Sequence, residues 1–365
     1  MIYSIIAIII LIGLIWFNFA PQLGAQSKGY SLEKIKSSQN FRNGTFKNLV
    51  KTTIRKENTP FSKTIKDYFN GEGNRTPDSV IQTMAFNKED FIKCDSGLFV
   101  VWFGHSTVFL NIDGYFVLID PVFSERASPI SFMGTKSFRY SNPIEVENLP
   151  KINMVLISHD HYDHLDYKTI KQLNNKVDKF LVPLGVAAHL EKWGVLREKI
   201  VELDWWENYS IDSVKSIIAS PARHFSGRKI IDLNKTLWCS WIININNHKV
   251  FFCGDSGYGK HFKEIGDNYG PFELTLLECG QYNENWPYIH MLPNKIIIAH
   301  DDLKGETLMP IHWGKFNISL HSWTDPMKQL FLNAENKNCK ILTPVIGDNI
   351  KINSNKNTGT FWWEN

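Results

Sequence analysis

The sequence contains no CxxC pair. Its five cysteines, Cys94, Cys239, Cys253, Cys279 and Cys339, are odd in number and far apart. That argues against a zinc ribbon, a redox dithiol and a disulfide framework, and leaves buried thiols, which suit a reducing compartment. There is no strongly basic run. The 40 Lys and Arg residues nearly balance 37 Asp and Glu, for a net charge of +3. A nucleic-acid footprint is therefore missing. Internal repeats and low-complexity tracts are also absent. At 365 residues and 43% hydrophobic content, the chain can bury a sizeable core in one large domain or two ordinary ones.

Charge is lacking altogether from residues 2–20, "IYSIIAIIILIGLIWFNFA". As a helix this run spans roughly 30 Å, enough to cross a bilayer. A cleaved signal peptide should begin with Lys or Arg, and only the α-amine is positive here. "LGAQ" (Leu23–Gln26) is a poor cleavage site. An uncleaved N-terminal hydrophobic helix is thus the expectation, with membrane association through residues 2–20. Lys28, Lys34, Lys36 and Arg42 all follow the run, which leans toward a cytoplasmic catalytic domain.

Residues 21–95 are polar and turn-rich, as in "SSQNFRNGTFKN", and read as an extended arm packing on the main domain. From Leu98 the texture changes. "LFVVWF", "TVFLNI" and "YFVLID" are short β-rich runs that suggest a meander, and "INMVLIS" reads as a strand buried on both faces. Helical stretches are expected at "DYKTIKQLNN", at "GVAAHLEKWG", and near Lys260–Gly266, Pro293–Asp302 and Asp325–Leu330. Strands leading into helices after an antiparallel start point to two sheets with helices outside. The expected division is 1–20, 21–95 and 96–365.

The densest chemistry is "SHDHYDHLD" (Ser158–Asp166). His159 and His161 alternate by two, so an extended segment puts both rings on one side. Asp163 and His164 must point elsewhere, so the segment can offer ligands to two neighbouring metals. Imidazole and carboxylate without thiolate suit zinc, or another divalent ion such as iron or manganese. His224, Asp255 and His312 each follow an apolar run and precede a glycine within three residues. A buried charged Asp at a strand end is costly unless paired or metal-bound. Ligating histidines need a partner for the other ring nitrogen. Asp120 is the candidate, and His105 in "GHST" a second one. Arg223 and Arg228 could touch a phosphate or form salt bridges; Trp205 and Trp206 could line a groove or sit in the core.

H-x-H-x-D-H followed by His, Asp and His resembles the metallo-β-lactamase-fold hydrolases. The blocks "WFGHSTVFL", "DPVFSERASPISF", "LISHDHYDHLDY", "VPLGVAAHLEKWG", "PARHFSGR" and "IHWGKF" look more closely like the N-acylphosphatidylethanolamine-hydrolysing phospholipase D group, from about Pro21 to Trp323. The resemblance implies an α/β protein, a metallo-β-lactamase-type αββα sandwich. It implies two Zn2+, the first held by His159, His161 and His224, the second by Asp163, His164 and His312, with Asp255 bridging. It adds His290, near the site, contacting phosphate or aiding proton transfer. Asp255, Asp163 and His290 are the expected catalytic groups. Two cations can clamp a phosphodiester and acidify the water between them. The expected reaction releases phosphatidic acid and an N-acylethanolamine, with a membrane phospholipid as substrate and the lipid bilayer as partner. The rivals are a hydrolase of this fold acting on a lactone, β-lactam or other phosphoester, and a membrane-tethered binding protein without catalysis. Nothing sets the oligomeric state; a homodimer is one option.

Overall fold

The computed structural model describes residues 20–56, 60, 62, 66–67, 73–354 and 361–364. Its framework is two seven-stranded mixed sheets. The first begins with the expected meander, Leu98–Trp102, Val108–Ile112 and Tyr115–Ile119, paired antiparallel. Asp113 (φ 49°) and Gly114 (φ 81°) make the tight turn between the last two strands. This Asp-Gly pair tolerates the left-handed backbone that a two-residue hairpin requires. Ile152–Leu156, Val177–Pro183 and Ile200–Leu203 then add in parallel, and Asn349–Lys351 closes the other edge.

The second sheet runs Asn208–Ser210, Lys215–Ser220, Ser240–Ile245, His248–Phe252, Phe272–Glu278, Gly305–Ile311 and Lys340–Ile341. It is antiparallel up to His248–Phe252 and parallel beyond.

The two sheets face each other because side chains alternate along each strand. Val100, Trp102, Leu110 and Val117 of the first sheet share one core with Ile243, Val250 and Phe252 of the second. Their neighbours Val101, Phe109, Leu118 and Val155 turn outward, where Ile170 and Leu173 of the helix Tyr167–Leu173 and Leu190 of Ala187–Lys192 cover them. On the far side, Phe262, Ile296 and Met327, from the helices His261–Tyr269, Pro293–Asp302 and Asp325–Ala334, join the central core. Every residue of Val108–Ile112 is buried. Each large apolar side chain there contributes roughly 1.5–3 kcal/mol by leaving water, so a charge at Leu110 would break the sandwich.

One expectation is corrected. Among the described residues, no helix is long and apolar enough to cross a membrane. The longest, Pro293–Asp302 and Asp325–Ala334, have 10 residues each, about 15 Å, against a hydrocarbon core of about 30 Å. Residues 2–19 lie outside the described residues. The last residue of that run, Ala20, is buried against the domain and precedes the 3-10 turn Pro21–Leu23. Membrane association through residues 2–20, and the orientation inferred from it, are not supported.

Strand direction concentrates the polar residues. Leu98–Trp102, Tyr115–Ile119 and Ile152–Leu156 lead to His105, Asp120 and His159. Lys215–Ser220, His248–Phe252, Phe272–Glu278 and Gly305–Ile311 lead to His224, Asp255, Glu278 and His312. All sit at the carboxyl ends of their strands, on one edge of the sandwich.

Candidate metal centre

The loop after Ile152–Leu156 is held from several sides. Arg228 Nη1 donates to Asp160 O (2.7 Å) and Leu165 O (2.9 Å). The Asp160 carboxylate accepts from Gly227 N (2.7 Å) and Thr236 Oγ1 (2.9 Å). Burial alone would raise the Asp160 carboxyl, but His189, His161 and Arg228 hold it well below the usual carboxylate range. With its backbone so fixed, the loop projects His159, His161, Asp163 and His164 in different directions.

Two groups of donor atoms result. In the first, His159 Nε2 lies 2.9 Å from His161 Nδ1, and His224 Nε2 lies 3.3 Å from the same atom. Asp255 Oδ2 is 3.8 Å from His159 Nε2 and 3.6 Å from His224 Nε2. In the second, His164 Nε2 and His312 Nε2 stand 3.5 and 3.4 Å from Asp163 Oδ2, and 3.2 and 3.3 Å from Asp255 Oδ1. One carboxylate therefore spans both groups, one oxygen in each.

These spacings fit cations. Ligands about 2.05 Å from a tetrahedral zinc are about 3.3 Å apart. His159, His161, His224 and Asp255 place their ligand atoms within 4.8 Å of one another, as do His105, Asp163, His164 and His312, and as do Asp255, Glu278, His290 and His312. His164 Nε2 and Asp255 Oδ1 are buried without a hydrogen-bond partner, which is costly unless something positive sits between them. Burial and neighbouring rings push His159 and His224 well down, and burial pushes His161 down too. Their nitrogens are thus neutral and free to ligate. Burial opposes charge on His164 and His312, yet Asp255, Asp163 and other carboxylates outweigh it. His164 rises well above its ordinary value and His312 to about 9, so both rings stand in a strongly negative field, which favours a cation among them.

The far side of each ring is also held. Asp120 accepts from His164 Nδ1 (2.7 Å), Ser158 N (2.7 Å) and Ser158 Oγ (2.5 Å). Ser158 Oγ reaches His159 Nδ1 (2.9 Å), and His224 Nδ1 donates to Ile289 O (2.8 Å). His105 differs from the role read for it: its Nε2 meets Asp163 Oδ2 at 2.9 Å, steadying a carboxylate rather than an imidazole. Burial and the His312 ring lower His105 to about 3, so it is a neutral donor. His105, Asp120 and His312 all have left-handed backbones (φ 53°, 43°, 68°). Such strain in non-glycine residues persists where surrounding contacts over-determine it and clusters at functional sites. The strands' ends are knitted together by His105 N–H to Trp313 O (2.7 Å) and His312 N–H to His105 O (2.8 Å).

A cavity of about 250 Å3 opens over the cluster. It is lined by His161, Asp163, His224, Asp255, His290 and His312, by apolar Ile54, Phe225, Trp286, Ile289 and Ile318, and by Arg55. His290 stacks on His312, centroids 5.3 Å apart, and its Nδ1 contacts Glu278 Oε2 at 3.2 Å.

Sequence reasoning missed Glu278 and the part the arm plays in the site. Glu278 ends the apolar run "ELTLLE", a pattern of the kind that flagged Asp255. The arm's contribution left no local signal: Asn48 clamps His224 in both directions, Nδ2 to His224 O (2.8 Å) and Oδ1 from His224 N (3.1 Å). Neither arginine from the sequence reading lines the cavity. Arg228 is buried on backbone carbonyls; Arg223 bonds Thr52 Oγ1 (3.0 Å) and lies over Tyr288. Trp205 is core, its Nε1 on Trp238 O (2.6 Å), and Trp206 stacks on Tyr269.

The chain matches the beta-lactamase superfamily domain over residues 115–313 and belongs to that family. That family is one of metallo-hydrolases, and the clustered His and Asp side chains are of the kind that binds divalent metal. An uncharacterized protein of Mycobacterium tuberculosis is 46% identical over 259 residues, 70% of this chain and 69% of that one. An N-acyl-phosphatidylethanolamine-hydrolyzing phospholipase D of Caenorhabditis elegans is 31% identical over 322 residues, 82% of this chain and 86% of that protein. Among solved structures, a metallo hydrolase of the archaeon Ignicoccus hospitalis matches with TM-score 0.53 and 20% identity over 69% of this chain and 97% of that one, a likeness of fold alone.

Proposed function

We propose that this metallo-hydrolase is a phosphodiesterase that cleaves N-acylphosphatidylethanolamine into phosphatidic acid and an N-acylethanolamine. The observation carrying the proposal is the Asp255 carboxylate, spanning two donor clusters at the floor of a cavity with apolar walls and one arginine. The name of the Caenorhabditis elegans relative supports this choice of lipid. At about 250 Å3, just below the roughly 300–1,000 Å3 of ordinary ligand pockets, the cavity suits the phosphodiester with the acyl chains outside.

His159, His161 and His224 would hold one Zn2+, and Asp163, His164 and His312 the other, with Asp255 shared. Thiolate-free donors suit zinc, iron or manganese. Two such cations supply Lewis acidity toward phosphoryl oxygens and toward water. The chain supplies the rest. Asp255 sets the spacing, and Asp120 and Ser158 orient His164 and His159. Ile54, Phe225 and Ile289 limit water, and Arg55 offers positive charge to the phosphate. Water oxygen bonds to phosphorus as the bond from phosphorus to the N-acylethanolamine oxygen breaks, and the proton that the water sheds passes out to solvent through the open cavity. That oxygen needs a proton, and His290, with Nδ1 on Glu278, has Nε2 left to deliver one. The same reading assigns hydrolysis to residues 96–365, with 21–95 as an arm completing the cavity.

The test is turnover by the zinc-loaded protein of N-acylphosphatidylethanolamine in detergent micelles, against a chromogenic β-lactam and a lactone. Release of N-acylethanolamine is expected. Turnover of lactam or lactone with the lipid intact would assign another substrate, and none at all would favour a binding protein.

A further inference from the structure

We propose that Glu278 is a positioning residue that holds His290 and His312 as a pair, serving the second cation and the proton donor at once. It rests on the dinuclear reading of the site, but not on the identity of the lipid.

Glu278 is the last residue of Phe272–Glu278 and is 0% exposed. A carboxylate is rarely placed so deep without dedicated partners. Its Oε1 accepts from Met291 N at 2.5 Å. Its Oε2 faces two rings, His290 Nδ1 at 3.2 Å and His312 Nδ1 at 3.4 Å. The rings are nearly parallel, 19° between planes, so one oxygen serves both. The His312 contact is of ion-pair length without hydrogen-bond alignment. The remaining nitrogen of His312 points to Asp163 and Asp255. A carboxylate beside the far nitrogen favours a proton there and so leaves the other nitrogen to ligate. The strand end is also pressed against the His312 loop: a Cβ on Gly280 would come 2.1 Å from His312 O. Glu278 thus cannot drift from the ring it orients.

A purely structural role would lie in the Met291 contact, pinning the loop that carries Trp286, Ile289 and His290. Glu278→Gln separates the two roles. The amide keeps an oxygen for Met291 but turns an NH2 toward the imidazoles, which favours the wrong tautomer. Zinc alone is the probe, titrated into the full chain against a chromogenic chelator. In Glu278→Gln we expect one zinc to bind as in the parent protein and the other to weaken about 10- to 100-fold, the usual effect of losing such a partner. With lipid, kcat should fall while KM stays near its starting value. Glu278→Asp keeps the charge at a longer reach and should lose less. If Glu278→Gln does not fold, as judged by circular dichroism, Glu278→Asp carries the test, with the same site weakened to a smaller degree. Two zinc sites of unchanged affinity in the folded variant, or both weakened alike, would overturn the proposal. A parent protein that binds two zinc ions yet leaves the lipid intact would remove the substrate reading and leave this one standing.

Discussion

Replacing Asp120 by Asn tests how the site is held rather than what fills it. Asp120 is buried and ligates nothing in the proposed arrangement, yet three donors converge on it: Ser158 N, Ser158 Oγ and His164 Nδ1, at 2.7, 2.5 and 2.7 Å. Asn is nearly the same size but keeps a single oxygen. Its NH2 must face Ser158 or His164, setting donor against donor. Losing one hydrogen bond to a charged group, with a buried donor left unmet, costs about 2–4 kcal/mol. In a chain this long that corresponds to a fall in Tm of several degrees. His164 also loses its orienting acceptor, so affinity for the cation it would share with Asp163 and His312 should drop about 10- to 100-fold. Thermal unfolding of zinc-free and zinc-loaded protein reads the first effect, chelator competition the second. If the variant stays within about 0.5 kcal/mol of the parent, the range of an ordinary surface change, and binds zinc with equal affinity, the orienting role is refuted.

Further outcomes follow from other contacts. His290→Asn should lower kcat about 10²- to 10⁴-fold, the usual share of proton transfer, without altering zinc content; loss of metal instead would make His290 a ligand. Arg228→Met removes the donor to Asp160 O, Leu165 O and Gln22 O and should destabilise the protein by about 3 kcal/mol, read by urea titration. His261 is held to about 3 by burial, with Arg223 adding to the effect. Its folded pKa lies below its unfolded value of about 6.5, so the unfolded chain binds the extra proton between those values. Its contribution is complete above pH 6.5 and lost as pH falls toward 3, by up to about 1.4 kcal/mol per pH unit. His261→Asn should flatten that part of the stability profile of the zinc-free protein, and an unchanged slope would show that His261 is not responsible.

Much of the scaffold was legible because its signals are local. The Asp-Gly turn after Ile112 and the apolar run Met154–Ile157 announce their strands, and the helix read at Pro293–Asp302 is found with those bounds. The segment His159–His164 was legible for the same reason: its alternation is a property of one short stretch. What remained hidden depends on contacts across the chain. The clamp of Asn48 on His224 joins residues 176 apart, and the buried pairing of Glu278 with His290 and His312 joins a strand end to two later loops. His105 was noticed, but its partner could not be read, since the ring meets Asp163 from a loop 58 residues further on. The apolar run at residues 2–20 shows the opposite failure: composition allowed a spanning helix, but composition alone does not place one.

The most direct test of the account is metal analysis of the purified protein with hydrolysis measured before and after chelation. Two divalent ions per chain are predicted, with hydrolysis abolished by the chelator and restored by zinc. A chain that retains no divalent ion at micromolar zinc, or one whose hydrolysis is indifferent to the chelator, would contradict it.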